Sequence, residues 1–299
     1  MRSLTIVLMT RNRPMLVEKA IESILNQTEK NFQFIISDNS TNLETKELVN
    51  NKFPKIEYVS RYPGVSASEH FKMARELGKS KYLVMFHDDD ILEAGYVENI
   101  LHAFTNYPKT AAIATNGYLV NEVGDIIEDS PLFVSSAKIL CFESATKLLE
   151  RYLSENNGRV APFSSYAYDT NLIRSVEMDF TKGRNYFDTI FLSKILNPST
   201  IMWLNLPLVK IRHTSERITT ESGVRDYKAF LQIVKKLHEI DNLYILEYHI
   251  VHLFFELRLR QKYPLVAIRF LLTKSFYLLL TSKNFRIRVF KYLIKKINL

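Results

Sequence analysis

The chain has 299 residues and carries 40 basic and 32 acidic side chains, which gives a formal net charge of +8 at pH 7. Hydrophobic residues make up 46% of it, so disordered and fibrous proteins are excluded, and the length suffices for one large domain or two smaller ones. Cys141 is its one cysteine, which excludes a disulfide framework and a cysteine-rich zinc site. We therefore expect a cytoplasmic protein, and no apolar run reaches the roughly 18 residues of a membrane span.

The first 105 residues alternate between the patterns of strands and helices. Apolar, β-branched runs predict strands at residues 4–9, 32–36, 56–59 and 82–86. Apolar residues at helical spacing predict helices over residues 14–25, 43–49 and 66–77, the first of them beginning at Pro14. This alternation predicts an α/β fold, Rossmann-like, with a mostly parallel sheet and flanking helices.

The remaining chain divides into a mixed part and a helical part. Strands are predicted at residues 112–115 and 201–204, and helices at 144–153 and 188–196. Further helices are predicted at residues 225–239, 243–261, 265–281 and 283–297. We expect a domain over residues 1–220, with two parts at 1–105 and 106–220, followed by a helical C-terminal region (221–299).

The C-terminal region is strongly basic. Residues 224–299 carry a net charge of +10 against −2 for the rest, and no acidic residue follows Glu256. Around Arg288, Lys291 and Lys295 the predicted helix is amphipathic and cationic, which is typical of binding to an anionic membrane surface. Ordinary helix packing, also against a second copy of the chain, is the alternative. We expect no nucleic acid partner, because no recognition motif is present.

Polar clusters follow three of the predicted strands, at residues 10–12, 38–40 and 88–90. Because ligands of parallel sheets bind beyond the carboxyl ends of the strands, we expect these clusters to meet at one edge. The sequence His87-Asp88-Asp89-Asp90 offers hard oxygen ligands suited to Mg²⁺ or Mn²⁺. The alternative is a solvated acidic turn in which Asp90 caps the next helix.

The three clusters together resemble family 2 glycosyltransferases of the GT-A fold. Members carry Thr-Tyr-Asn-Arg, then Asp-Asp-Gly-Ser-Thr, then an Asp-x-Asp motif, each after a strand. Here the corresponding segments are Thr-Arg-Asn-Arg, Ser-Asp-Asn-Ser-Thr and His-Asp-Asp-Asp-Ile-Leu. The resemblance is clear over about the first 100 residues and continues weakly to about residue 215. It implies transfer of a sugar from a nucleotide sugar to a hydroxyl, with inversion of configuration.

The resemblance also implies roles for particular residues. The nucleotide-sugar contacts fall on Thr10, Arg11, Asn12, Asp38, Asp88 and Asp89. Of these, Asp38 matches the carboxylate that binds the base, most often uracil. The metal ligands fall on Asp89, with Asp90 and His213 as partners and Mn²⁺ or Mg²⁺ as the cofactor. His87 stands where the first aspartate of the motif often stands, and a packing role is its alternative.

Two further segments depart from the family pattern. Ser68-Glu69-His70 replaces the Ala-Arg-Asn of many members, which leaves Arg61 either as a substitute donor contact or as a solvated side chain. Phe187 replaces the first acid of the usual Glu-Asp pair, and Asp188 is then the candidate general base.

Several further residues are weaker candidates for the general base, a phosphate contact or a metal site. Asp188 could instead cap a helix, and Asp169 and Asp179 are other candidates for the base. Arg212, beside His213, is a candidate phosphate contact. His249 and His252 have spacing that could bind metal, but no third ligand is evident, so we expect a structural role.

The sequence therefore predicts an inverting, metal-dependent glycosyltransferase. Its donor would be a UDP-sugar, and its acceptor a glycan or polyprenyl-linked glycan of surface polysaccharide such as O-antigen or capsule, at the inner face of the plasma membrane. A sugar nucleotidyltransferase is an alternative, although residues 10–14 lack its glycine-rich, lysine-containing motif. A non-catalytic membrane- or nucleic-acid-binding protein on a degraded GT-A fold is the other.

Overall fold

A computed structural model describes residues 2–153, 160–178, 186–196, 199–212, 223–237, 276–283 and 285–287. The strands are β1 (Leu4–Thr10), β2 (Phe32–Asp38), β3 (Glu57–Ser60), β4 (Tyr82–His87), β5 (Ile91–Leu92), β6 (Thr110–Val120), β7 (Ile139–Phe142), β8 (Ala167–Asp169) and β9 (Thr200–Arg212). The helices are α1 (Pro14–Leu25), α2 (Glu44–Lys52), α3 (Ala67–Leu77), α4 (Tyr96–Asn106), α5 (Ala145–Leu153), α6 (Thr170–Arg174), α7 (Phe187–Ile195), α8 (Gly223–Leu237) and α9 (Phe276–Thr281). A 3₁₀ turn lies at Phe163–Ser165.

The strands of the described residues form one mixed sheet in the order β3-β2-β1-β4-β8-β6-β9-β5, with β7 pairing beside β9. Neighbours among β3, β2, β1 and β4 are parallel, as are β6 and β9. The short strands β5, β7 and β8 run antiparallel to their neighbours. The carboxyl ends of all the parallel strands therefore lie at one edge, and the predicted α/β fold with a mostly parallel sheet is confirmed.

Successive side chains of a strand point to opposite faces, so each face of the sheet has its own core. In β1, Leu4, Ile6 and Leu8 belong to the core that α1 and α4 cover. Val7 and Met9 belong to the core on the other face, which α3, α5, α7 and α8 cover. The sheet is thus buried on both sides, which explains why its strands are continuous apolar runs.

Residues 106–220 contain longer strands than the sequence predicted. The expected strands at residues 112–115 and 201–204 cover only the N-terminal parts of β6 and β9, which pair from Thr110 to Val120 of β6 through several register shifts. Polar Asn205 and Pro207 interrupt the apolar pattern of β9. At Gly117 a side-chain Cβ would lie 2.4 Å from the carbonyl oxygen of Val209, so only glycine allows this close approach.

Helix α8 packs directly on the core between the sheet and α7. Phe230, Leu231 and Val234 are buried in the core beneath α7, and the Phe230 ring stacks on Tyr186 with centroids 4.6 Å apart. The helix predicted at residues 243–261 lies outside the described residues, as does most of those at 265–281 and 283–297. Within the part of the chain that the structure describes, none of the helices combines the length and hydrophobicity needed to cross a bilayer.

Candidate active site

The strand register brings the three polar segments together. Thr10 pairs with Asp38 across β1 and β2, and Met9 pairs with His87 across β1 and β4. The loops that follow these strands are therefore neighbours at the carboxyl edge of the sheet. Residues far apart in the sequence share one surface there, as the sequence pattern predicts.

Asp88 is buried and holds the loop that follows β1. Its Oδ2 accepts hydrogen bonds from Thr10 Oγ1 at 2.7 Å and from the backbone N of Arg11 at 3.2 Å. Its Oδ1 accepts from Arg13 Nη1 at 3.2 Å. Burial raises the pKa of Asp88 to about 6, because the charged carboxylate is removed from water. Asp88 and Thr10 therefore fix the loop on which Arg11 and Asn12 are carried.

Arg13 was not among the predicted site residues, although it is the last residue of the Thr-Arg-Asn-Arg segment. The same Nη1 that contacts Asp88 also donates to Asp89 Oδ2 at 3.0 Å. Burial alone would lower the pKa of Arg13, but the charges of Asp88 and Asp89 outweigh it and the pKa is raised. Arg13 thus offsets part of the repulsion among the aspartates.

Asp90 is buried and joins the acidic turn to β9. Ser164 Oγ donates to its Oδ2, and the backbone N of Arg212 donates to its Oδ1 at 3.2 Å. Burial, followed by the charge of Asp89, raises the pKa of Asp90. The interpretation of Asp90 as the cap of the next helix is wrong, because β5 follows it and α4 begins only after Gly95.

Arg212 was a candidate phosphate contact, and the structure gives it different partners. Its Nε donates to the carbonyl oxygen of Asp89 at 3.1 Å, and its Nη1 donates to that of Asn121 at 2.9 Å and also to that of Glu122. The guanidinium is therefore used to hold the acidic turn and the loop after β6. His213, the next residue, lies outside the described residues.

His87, Asp89 and Asp90 form a group that could hold a metal ion. One ligand atom from each side chain lies within 4.8 Å of the others. Two carboxylates and an imidazole suit Mn²⁺ and, through their oxygens, Mg²⁺. Burial lowers the pKa of His87, which favours the neutral form that ligates metal. The His87 ring also packs edge-on against Phe71 at 6.0 Å, so the side chain has a packing role as well.

Asp38 is buried at the end of β2, with its carboxylate already held on both oxygens. Oδ1 accepts from the backbone N of Ser40 at 2.8 Å and from Ser40 Oγ, and Oδ2 accepts from the hydroxyl of Tyr58. Burial, then this hydrogen bond, raises the pKa of Tyr58. Because each carboxylate oxygen accepts two hydrogen bonds, Oδ2 has room for one further donor. The roles of Ser40 and Tyr58 were not predicted.

Asn12 connects the loops that follow β1 and β2. Its φ of 55° is left-handed, a conformation that asparagine tolerates better than most residues. Its Oδ1 accepts from the backbone N of Thr41 at 2.8 Å, and its own backbone N donates to Ser40 Oγ at 2.8 Å. Asn12 therefore orders the rim of the candidate nucleotide site, whereas the Arg11 side chain beside it is exposed.

Asp188 lies in the first turn of α7, close to the end of β4. The adjacent Phe187 ring is 5.0 Å from that of Phe71, which in turn packs on His87. Asp188 Oδ1 accepts from the backbone N of Thr189 at 2.7 Å, and burial raises the pKa of Asp188. The N-cap of this helix is Tyr186, so a capping role does not account for Asp188. A raised pKa suits a general base.

The other candidate bases differ from Asp188. Asp169 is the N-cap of α6, where its Oδ1 accepts from the backbone N of Asn171 at 3.0 Å and of Leu172 at 3.3 Å. Its carboxylate therefore has a structural use. Asp179 lies outside the described residues, as do His249 and His252.

The mostly parallel sheet, with the acidic turn of Asp88–Asp90 at its carboxyl edge and helices on both faces, has the architecture of the GT-A fold. Residues 5–152 match the family model Glycosyl transferase family 2. This part of the chain, about half of it, is therefore a domain of glycosyltransferase family 2, and the resemblance predicted from its motifs is confirmed.

One protein similar in sequence and two crystal structures similar in fold extend this comparison. The chain is 24% identical over 184 residues to an uncharacterized glycosyltransferase of Methanocaldococcus jannaschii, which covers 59% of this chain and 62% of that protein. A crystal structure of S. aureus TarS is similar with a TM-score of 0.58 at 13% identity, covering 84% of this chain and 43% of that one. TarS 1–349 in complex with UDP-GlcNAc gives a TM-score of 0.62 at 14% identity, covering 84% and 72%. The chain thus spans less than two thirds of the length of the first two.

Proposed function

We propose that this protein is an inverting, metal-dependent glycosyltransferase that transfers a sugar from a UDP-sugar to a hydroxyl of a glycan or lipid-linked glycan. The observation that carries the proposal is the convergence at one sheet edge of Asp38, the group His87, Asp89 and Asp90, and the first turn of α7 with Asp188. The UDP-GlcNAc complex of a TarS structure with the same fold supports a uracil nucleotide as the donor.

The donor would lie across the ends of β2, β1 and β4. Asp38 Oδ2 keeps one acceptor position, which suits a ring N–H of the base. Thr10, Arg11 and Asn12 form the loop beside the nucleotide, and Asp88 fixes that loop through Thr10. Arg13 bridges Asp88 and Asp89, so the loop and the acidic turn are held as one unit before the donor binds.

The metal would be Mn²⁺ or Mg²⁺, held by Asp89 with Asp90 and His213, and His87 is placed to contribute. When bound, such an ion offsets the negative charge on the leaving diphosphate. The chain prepares this position by orienting Asp90 with Ser164 and the backbone of Arg212. Oriented ligands of this kind lose little freedom on binding, which favours affinity for the ion.

Asp188 would accept the proton of the acceptor hydroxyl. The hydroxyl oxygen then bonds to the anomeric carbon from the side opposite the nucleoside diphosphate. The bond between that carbon and the diphosphate oxygen breaks, the nucleoside diphosphate leaves with the bonding electrons, and the configuration inverts. Partial burial raises the pKa of Asp188, and a more basic carboxylate accepts a proton more readily. The backbone N–H of Thr189 fixes the carboxylate while leaving acceptor positions free.

The acceptor would be presented at an anionic membrane. In this proposal residues 1–220 form the catalytic domain, with donor and acceptor halves at 1–105 and 106–220, and the basic region 221–299 binds the inner face of the plasma membrane. The net charge of +10 over residues 224–299 supports this arrangement, and a polyprenyl-linked glycan of a surface polysaccharide is the acceptor it suits. The same helices could also pair two copies of the chain.

The experiment that tests the function is a binding and turnover assay with UDP-sugars, with and without Mn²⁺. We expect UDP to raise the melting temperature more when Mn²⁺ is present, because both bind only the folded state. Asp89→Asn should abolish the Mn²⁺-dependent part of the rise in melting temperature. Asp129→Asn, which changes an exposed aspartate, should retain it. A wild-type chain that binds no uracil nucleotide and releases no UDP from a UDP-sugar would contradict the proposal.

A further inference from the structure

The backbone of Arg61 is fixed at the end of β2, at Asp38, whose carboxylate is the candidate contact of the base. The Arg61 backbone N donates to the carbonyl oxygen of Asp38 at 2.7 Å, and its own carbonyl accepts from Gly64 N at 2.7 Å. The loop it opens is tied to the end of β2, because Val65 N donates to Asn39 Oδ1 at 2.7 Å and Asn39 Nδ2 donates to the Val65 carbonyl at 3.0 Å. Arg61 therefore has little freedom to leave this position.

The guanidinium of Arg61 carries a buried donor that the protein does not use. Its Nε is shielded from solvent and has no hydrogen-bond partner among the residues that the structure describes. A buried N–H without an acceptor costs free energy, so buried polar atoms nearly always find a partner. Burial is the main cause that lowers the pKa of His70, and the charge of Arg61 contributes, so the guanidinium lies near that ring. A water-sized atom does not reach Nε in this arrangement, so a ligand would supply the missing acceptor once the side chain turns toward it.

The position of Arg61 decides which part of a nucleotide it can reach. It follows β3, whereas the acidic turn follows β4, and the strand order between them is β3-β2-β1-β4. Neighbouring strands lie about 4.8 Å apart, so about 14 Å separates the two ends. An arginine side chain does not extend that far. Arg13, which contacts Asp88 and Asp89, occupies the diphosphate end of the site, and Arg61 occupies the base end.

We infer that Arg61 reads the base of the donor, donating from Nε to a ring carbonyl oxygen beside the N–H that Asp38 accepts. This inference rests on the proposed function. In uracil an N–H donor lies between two carbonyl acceptors, which complements an acceptor from Asp38 and a donor from Arg61. Cytosine presents an unprotonated ring nitrogen between a carbonyl oxygen and an amino group, so the acceptor from Asp38 would face another acceptor. Arg61 thereby substitutes for the arginine that Glu69 replaces, and Glu69 is occupied in a capping box with Ser66.

The test is titration calorimetry of uridine, UDP and cytidine with the wild-type chain, Arg61→Gln and Arg61→Lys. We expect both variants to bind uridine and UDP between about tenfold and a hundredfold more weakly, by the same factor for each ligand. Arg61→Lys keeps the charge but has no N–H at the Nε position, so it separates a hydrogen bond from general attraction. Lys55→Gln is the control, because it removes an equal charge from an exposed position at the opposite end of β3.

Three results would overturn the inference. Unchanged affinity for uridine in both variants, with UDP weakened, would move Arg61 to the phosphates. Unchanged affinity for both ligands would leave Arg61 outside the site, while the proposed function would stand. A wild-type chain that binds neither ligand would remove both proposals together. Thermal unfolding of each variant establishes that weaker binding comes from a folded protein.

Discussion

The proposed donor half of the sheet (β1 to β4) and its proposed acceptor half (β6 to β9) are built in different ways. In the donor half, β1 to β4 are parallel and their exit loops hydrogen-bond to one another through Asp88, Asn12 and Asn39. In the acceptor half, long strands β6 and β9 pair across about 90 residues of sequence and are flanked by antiparallel strands. The exit loops of β1 to β4 form a preformed polar surface. The other half is an aromatic core, and Asp188 lies where this core meets that surface.

The largest expected effect comes from replacing Asp188, the carboxylate that the acceptor half would contribute to catalysis. In Asp188→Asn the amide oxygen can still accept from Thr189 N, but it cannot take the proton of the acceptor hydroxyl. We expect kcat to fall by about 10²–10⁴ while UDP affinity is unchanged. Release of UDP from the donor sugar measures kcat, and calorimetry measures the affinity for UDP.

Asp169→Asn is the control for this experiment, because Asp169 caps α6. It should lower the melting temperature slightly and keep kcat. If Asp169→Asn abolishes turnover and Asp188→Asn does not, the assignment of the base is wrong.

A second effect belongs to the donor half and depends on pH. His70 Nε2 lies 3.0 Å from both the carbonyl oxygen and Oγ of Ser37. Burial, together with the charges of Arg61 and Arg11, lowers the pKa of His70 to about 4, although Ser37 and Asp38 favour the protonated form. In the unfolded chain the value is about 6.5, so the unfolded state takes up the proton first as the pH falls.

Stability should therefore be fully present above about pH 6.5 and be lost as the pH falls toward 4, by up to about 3 kcal/mol from this residue. In His70→Asn that slope should disappear, as measured by urea unfolding at several pH values. His102→Asn, at an exposed position, should retain the wild-type slope. An unaltered slope in His70→Asn would show that the ring titrates normally in the folded protein.

A third effect tests the acceptor half through its closest backbone contact. In Gly117→Ala the added Cβ would meet the Val209 carbonyl oxygen at 2.4 Å, so β6 and β9 must separate. We expect a loss of about 2 kcal/mol in the free energy of unfolding. Gly95→Ala is the control, since its Cβ would meet only the Asn99 side chain, at 3.3 Å. Equal stability of the two variants would mean that β6 and β9 yield easily.

The same contrast explains what the sequence could predict. The proposed donor half is made of consecutive parallel strands, so its motifs lie at strand ends. The meeting of Thr10, Asp38 and Asp88 at one edge of the sheet could therefore be predicted from the sequence. The bonds of Tyr58 to Asp38 and of Ser164 to Asp90 were missed, because they join segments whose proximity only the fold creates. For β6 and β9, pairing between distant segments overrides the local pattern, so only their N-terminal parts were predicted.

The smallest effect compares the two halves at a helix start. Ser66 caps α3 in a reciprocal capping box with Glu69, whereas Ser144 Oγ accepts only a 3.3 Å hydrogen bond from Lys147 N at the start of α5. Ser66→Ala should lower the free energy of unfolding by about 1 kcal/mol, and Ser144→Ala by less. The difference arises because loss of Ser66 also leaves the Glu69 side chain without its serine partner. Denaturant unfolding measures both. A larger loss in Ser144→Ala would mean that α5 relies on its cap more than on its buried leucines, and that the acceptor half depends on local signals after all.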